Sequence, residues 1–344
     1  MESSKAWYRK FRDGTVIPAH PLALTAERKL DERGQRGLSR YYAAVGAGGI
    51  AVGVHTTQFA IREPSIGLYE PVLALAADTL AGRDMILIAG VCGRTQQAVR
   101  EAETARKHGY QIALLSLAAY RDASDEEVLA HVHTVGDVMP LMGFYLQPAV
   151  GGRMFSYSFW RRFAEIESVI GIKVAPFNRY ATLDLLRGVI DSGRADAIAL
   201  YTGNDDHIVL DLLSPFHHAG KTVHFRGGLL GHWAVWTLGA VRLHRELRSQ
   251  PDSATLVDSS WLVRSAEVTD MNAAVFDVVN GFHGCIAGIH EVLRRQGLMQ
   301  GRWCLNPNED LSQGQSEEID RVIAAYPHLI DDDFIDQHRD EWLS

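Results

Sequence analysis

Cysteine is scarce in this 344-residue chain: there are three, Cys92, Cys285 and Cys304. They lie far apart, are odd in number and form no Cys-x-x-Cys pair. That excludes a disulfide framework and a zinc knuckle, and it fits a reducing compartment. Positive charge is also short. The formal net charge is −8 and the pI is near 6.0, so the basic surface that nucleic acid requires is missing. The apolar runs, such as 48–54 and 109–119, are too short to span a bilayer. Residues 1–12 mix Glu, Lys and Arg with single aromatics and contain no apolar signal segment. No nucleic-acid or membrane partner is expected, and the expected location is cytoplasmic.

What is present is a chain of ordinary globular composition, 47% hydrophobic and 22% charged, in which short apolar runs alternate with amphipathic ones. The runs 16–22, 49–55, 85–90, 111–117, 141–146, 169–174, 196–201 and 222–225 are four to eight residues long and rich in Val, Ile, Leu and Ala. Each reads as a strand buried on both faces. Helical patterns lie between them, at 31–45, 95–108, 124–135 and 179–192. Thr95 stands as an N-cap, and Ser124 with Glu127 forms a capping box. Gly109 and Gly193 stand at helix ends.

Eight strands with intervening helices predict a parallel sheet closed into a (β/α)8 TIM barrel. No Gly-x-Gly-x-x-Gly follows the first strand, which argues against an open dinucleotide-binding sheet. Beyond the eighth strand the pattern is wholly helical, at 230–249, 265–279, 285–296 and 317–325. The expected division is a barrel at 1–250 and an all-helical C-terminal extension at 251–344.

In a barrel the chemistry belongs at the C-terminal ends of the strands. The polar residues there are His20, His55, Thr56, Thr57, Tyr145, Gln147, Lys173, Gly203-Asn204-Asp205 and Arg226. Lys173 lies in the run Val169-Ile170-Gly171-Ile172-Lys173-Val174-Ala175. A buried ammonium is costly, and burial favours the neutral amine that attacks carbonyls. The pattern equally allows a lysine that snorkels to solvent or pairs with a carboxylate. Tyr145 reads as well as a core tyrosine, and Thr56-Thr57 as a strand-end turn.

Taken in order, these elements resemble the dihydrodipicolinate synthase and N-acetylneuraminate lyase family of Schiff-base barrels. Leu30-Asp31 matches the family's first helix start, and Gly49-Ile50-Ala51-Val52 matches its Gly-Ile-x-Val. His55-Thr56-Thr57-Gln58-Phe59 stands at its Gly-Thr-Thr-Gly-Glu loop. Ala89-Gly90, Tyr145-Leu146-Gln147-Pro148 (Tyr-Asn-x-Pro), Gly171-Ile172-Lys173 (Gly-x-Lys) and Gly203-Asn204-Asp205 (Gly-Asp-Asp) follow in register, and Gly297-Leu298 resembles the tail.

The resemblance implies a lyase acting on pyruvate or another 2-keto acid, with no cofactor and no metal. Lys173 would be the Schiff-base lysine and Tyr145 its proton relay. Thr56 and Thr57, with the Gly203 backbone, would hold the substrate carboxylate. His55, Phe59, Gln147, Val150 and Asn204 would line the pocket. It also implies a homo-oligomer, dimer or tetramer.

The departures are informative. The synthases' Pro-Tyr-Tyr after strand four is Leu117-Ala118-Ala119-Tyr120 here, so the tyrosine that crosses to a neighbouring subunit is absent or displaced. Their carboxylate-binding Arg is Val150, their loop Gly and Glu are Gln58 and Phe59, and Val174 follows the lysine. A true dihydrodipicolinate synthase is not expected. An apolar distal pocket points to an aromatic or aliphatic aldehyde as the second substrate. Two rivals are carried: a barrel that binds keto acids without turnover, and a metal-dependent barrel hydrolase using His20, His55, His217, His218 or His224. No His-x-His ends strand one, which weighs against the second rival.

Overall fold

The computed structural model describes residues 5–250 and 257–344. The expected boundary at 250–251 borders residues 251–256, outside the described residues. The strands are β1 (Val16–Pro18), β2 (Gly49–Val52), β3 (Ile86–Val91), β4 (Ile112–Ser116), β5 (Leu141–Leu146), β6 (Val169–Ala175), β7 (Ala199–Thr202), β8 (Phe216–His218), β9 (Lys221–Val223) and β10 (Phe225–Leu230). Eight of them form one parallel sheet in the order β1-β10-β7-β6-β5-β4-β3-β2, while β8 and β9 make a separate hairpin. A parallel bridge between Ala19 and Ala51, just past β1 and within β2, joins the two ends of that order. The fold is a (β/α)8 barrel with C-terminal helices. Two compact units are distinguished within it: residues to Thr15 with Ile86–Leu229, and Val16–Met85 with everything from Leu230 onward.

The first unit holds β3 to β7 and β10. Of these, β3, β4, β6 and β7 are buried end to end, as in a parallel sheet covered on both faces. The register puts Phe144 beside Lys173 and Tyr145 beside Val174 across β5 and β6. The Ser124–Glu127 capping box forms as its sequence predicts. Thr95 does not cap its helix. It is the first helical residue, and its hydroxyl bonds to Tyr120 Oη (2.7 Å) and His131 Nδ1 (3.0 Å).

The eighth barrel strand is also corrected. It is Phe225–Leu230 and not 222–225, because Thr222 belongs to the hairpin. The pair Gly227-Gly228 reads locally as a chain breaker. In the fold, a Cβ at Gly227 would sit 2.2 Å from the Thr15 carbonyl oxygen, so the strand needs glycine there.

In the second unit, Asp31 caps the helix Glu32–Ala44 by accepting the Gly34 amide at 3.1 Å. The helix expected from Leu230 starts at Thr237, after a short turn at His232–Ala234. Further helices run Ser260–Val275, Cys285–Arg295, Gln315–Ala325 and Asp332–Trp342. The last was not foreseen, and its Trp342 packs on Tyr41 at a ring separation of 5.4 Å. Among the described residues no helix is long and apolar enough to cross a membrane.

Buried Asp331 ties this unit together. It accepts hydrogen bonds from the Tyr41 hydroxyl (2.7 Å), the Leu238 amide (3.0 Å) and Gln296 Nε2 (3.2 Å). Burial raises its pKa to about 6. Its folded pKa lies above the unfolded value, so its ionisation costs stability increasingly as pH rises from about 4 through 6. Asp331→Ala orphans the Tyr41 hydroxyl and the Leu238 amide at once and should lower stability by about 2–4 kcal/mol, read as a reduced midpoint in urea denaturation. An unchanged midpoint would refute the tie.

Candidate active site

Lys173 sits near the C-terminal end of β6, 8% exposed. Which way it points follows from its neighbours. A Cβ on Gly171, two residues earlier and on the same face, would meet the Phe11 ring, which also stacks on Tyr201. Phe144 shares that face, and its ring centroid lies 4.3 Å from Lys173 Nζ. Gly203, at the end of β7, closes against the lysine stem: a Cβ there would be 2.6 Å from Lys173 Cε and 2.8 Å from Ala175 Cβ. Gly203 is thus beside Lys173 because only hydrogen fits.

Desolvation lowers the lysine pKa to about 8, and the charge of Asp205, itself buried, opposes that shift. A sizeable neutral fraction near pH 7 to 8 makes Lys173 a competent nucleophile.

Tyr145 takes the other face. A Cβ on Gly143, two residues before it, would strike Phe163 of the helix Tyr157–Glu165. The Tyr145 ring lies 4.7 Å from Trp160, and its hydroxyl accepts the Phe155 amide at 3.4 Å and meets Met154 Sδ at 3.6 Å. Burial raises its pKa. The structure therefore does not bring the expected Tyr145–Lys173 pair together. The aromatic ring beside the amine belongs to Phe144.

Other expected site residues do structural work. Asn204 gives Nδ2 to Asp211 (3.0 Å) and takes the Phe177 amide on Oδ1 (3.1 Å), which pins the loops after β6 and β7 and so sets Gly203 against the lysine. Asp211 also accepts the Thr202 hydroxyl and pairs with Arg179. Gln147 is buried and its carbonyl receives the Gly152 amide, while Val150 is half-buried in the same turn. The next arginine along the chain, Arg153, donates to the carbonyls of Ala123 (2.6 Å) and Tyr120 (3.1 Å) and pairs with Asp125. Tyr120 is turned inward, hydrogen-bonded to Thr95 and stacked on His131 at 4.5 Å.

In the second unit the Thr56 and Thr57 hydroxyls both donate to the His20 carbonyl, at 3.2 and 2.7 Å. Thr57 Oγ1 also accepts the Gly53 amide at 3.0 Å. These hydroxyls shape their own loop. His55 and Phe59 are ring neighbours 6.0 Å apart, and Phe59 is 36% exposed.

His20 is fully buried, bonded to Ser39 (2.9 Å) and Gln35 (2.9 Å), with its pKa lowered to about 4 by burial. It is a neutral core histidine. Among the described residues no three metal-ligating side chains gather.

Two residues were not foreseen. Phe144 was hidden because its role depends on strand face, although its position one residue before Tyr145 was a usable signal. Gln58 adopts φ +66 where the family loop has glycine, and its Oε1 accepts the Leu305 amide at 2.6 Å.

The chain matches the model of the dihydrodipicolinate synthetase family over residues 14–224. The 4-hydroxy-tetrahydrodipicolinate synthase of Dechloromonas aromatica (strain RCB) is 27% identical over 206 residues, 59% of this chain, and the match spans 65% of that protein's length. Two solved structures are similar in fold. YagE, a prophage protein from E. coli K12 in complex with pyruvate, has a TM-score of 0.71 at 16% identity, covering 92% of this chain and 98% of its own. The chloride-inhibited dihydrodipicolinate synthase from Acinetobacter baumannii complexed with pyruvate has a TM-score of 0.74 at 16% identity, covering 90% and 98%. With more than half of its length matched to the family model, this chain belongs to the dihydrodipicolinate synthetase family.

Proposed function

We propose that the chain is a class I lyase that binds pyruvate or another 2-keto acid as an imine on Lys173. The observation that carries this is the buried amine of Lys173, wedged between Phe144 and Gly203 and held near pKa 8 at a barrel strand end. The pyruvate complexes of the E. coli and Acinetobacter baumannii relatives support the substrate class. The neutral amine adds to the ketone and water leaves, giving an iminium that accepts electrons from the adjacent carbon. The resulting enamine can add an aldehyde, and in the reverse sense a carbon–carbon bond breaks. The Gly203 main chain, against the lysine stem, would hold the carboxylate.

Val150 in place of an arginine, and Arg153 already bound to carbonyls, separate this acceptor site from that of a dihydrodipicolinate synthase. The second substrate is then an aldehyde of low charge.

Incubation with pyruvate and a borohydride reductant should give a stable secondary amine on the peptide carrying Lys173, located by mass spectrometry. Failure to trap any of a panel of 2-keto acids would refute the reading. With cyanoborohydride across a pH series, trapping should rise with pH, be half-complete near 8 and level off about a unit above, as the Lys173 value requires. A rise continuing past pH 10 would instead indicate a solvated lysine.

A second reading is favoured by one observation: the ring beside the amine is Phe144 and carries no hydroxyl. Such a barrel would hold a keto acid as an imine without turning it over. Trapping without exchange of the pyruvate methyl protons in D2O would establish it.

A further inference from the structure

Apart from the lysine, the second unit contains a cavity of about 270 Å³ lined in part by Arg28, Arg294, Arg302, Trp303, Cys304 and Glu309. Most of its charges are matched within the protein. Arg294 grips Glu291 with two hydrogen bonds of 2.8 and 2.9 Å, and Arg302 pairs with Asp310. Two lining charges are not. Arg28 donates Nε to the Cys304 carbonyl at 3.0 Å and meets no carboxylate among the described residues. Glu309 is in ion-pair distance of no cation among the described residues; partial burial raises its pKa, and nearby His283 offsets this only in part.

Arg28 is also held in an unfavourable backbone conformation, φ +57, in the turn where its amide donates to the Thr25 carbonyl (2.8 Å). A non-glycine residue there costs about 1 kcal/mol or more, so the turn imposes this placement on Arg28. Trp303 lines the same cavity, and its ring lies against Gly301: a Cβ on that glycine would meet it at 2.7 Å.

We propose that this cavity is a binding site for a small zwitterion, an α-amino acid, whose carboxylate pairs with Arg28, whose ammonium pairs with Glu309 and whose side chain lies along Trp303. A guanidinium with free Nη donors suits a carboxylate, and a half-buried carboxylate is relieved by a cation. A dicarboxylate would be repelled by Glu309, and a simple amine would leave Arg28 unmatched. The site adjoins the Thr56–Thr57 loop. Arg28 holds the Cys304 carbonyl while Gln58, the residue after Thr57, holds the Leu305 amide, so one short segment joins the cavity to that loop.

The test is calorimetric and thermal-shift titration of the full chain with individual α-amino acids, alongside acetate and ethylamine as single-charge probes. At least one amino acid should bind and raise the Tm where neither acetate nor ethylamine does. Arg28→Gln and Glu309→Gln should each weaken it by roughly tenfold or more, the effect of losing one charge-assisted pair. Arg28→Lys, which keeps the charge without the fork, should weaken it less. Absence of binding by every amino acid, an equal response to acetate alone, or unchanged affinity in both variants would overturn the proposal. The readout is binding and not turnover, so it stands or falls separately from the chemistry at Lys173.

Discussion

Lys173→Met should yield a folded protein that gives no borohydride-stable adduct with pyruvate and melts no lower than the wild type. Methionine matches the length of the lysine stem against Gly203 and Phe144, so the packing survives while the nucleophile goes. The stability half of the expectation follows from the amine's pKa. Its folded value of about 8 lies below the ordinary 10.5. The penalty for burying the ammonium is therefore fully present below pH 8, shrinks as pH rises from 8 to 10.5 and vanishes above. At pH 7 that penalty is roughly 3 kcal/mol, an upper limit on what the substitution recovers. Urea denaturation at pH 7 and at pH 10 measures it, and the advantage of the variant should narrow at the higher pH. An adduct of undiminished yield in the variant would move the chemistry to another lysine.

Gly227→Ala should be strongly destabilising. A Cβ there falls 2.2 Å from the Thr15 carbonyl oxygen, 2.6 Å from its nitrogen and 2.7 Å from the Tyr201 ring. Two of these are backbone atoms, which cannot swing aside. The ring is fully buried, stacked on Phe11 and hydrogen-bonded through its hydroxyl to the Phe11 carbonyl at 2.8 Å. Relief requires moving β10 itself, at a cost of about 3–5 kcal/mol, beyond ordinary overpacking. Gly109→Ala is the comparison: φ is +80 but nothing lies within 4 Å, so about 1 kcal/mol is expected. Equal midpoints for the two variants in urea would rule out close approach as the reason for Gly227.

The same glycine shows why one strand could not be read from the chain. β6 announces itself as Val-Ile-Gly-Ile-Lys-Val-Ala because a parallel strand covered on both faces is apolar throughout. β10 carries Arg226, Gly227 and Gly228, residues that locally favour a turn, yet it is a strand because it pairs with β7, where Thr15 and Tyr201 leave room at 227 for nothing larger than glycine. Local pattern and long-range packing disagree there, and packing prevails.

The pairing of Tyr145 with Lys173 is the other instructive case. Their spacing of one βα unit is visible in the chain. Side chains alternate across a strand, however, so a register offset of one residue exchanges Phe144 for Tyr145 beside the amine. Thr57 and Asn204 teach a related lesson. Their polarity marks a strand end, but whether a hydroxyl or amide faces substrate or its own loop depends on groups such as the His20 carbonyl and Asp211.

The chain by itself determined the barrel class, the lysine at the end of β6, the capping box of Ser124 and Glu127, and the helical C-terminal half of the second unit. These rest on local periodicity and short-range hydrogen bonds. Only the tertiary structure decided which aromatic lies beside the amine, that glycine alone fits at 203 and 227, and that the loop after β2 is joined through Gln58 to Leu305. Those outcomes depend on register and close approach between residues distant in the chain, and no local spacing encodes them.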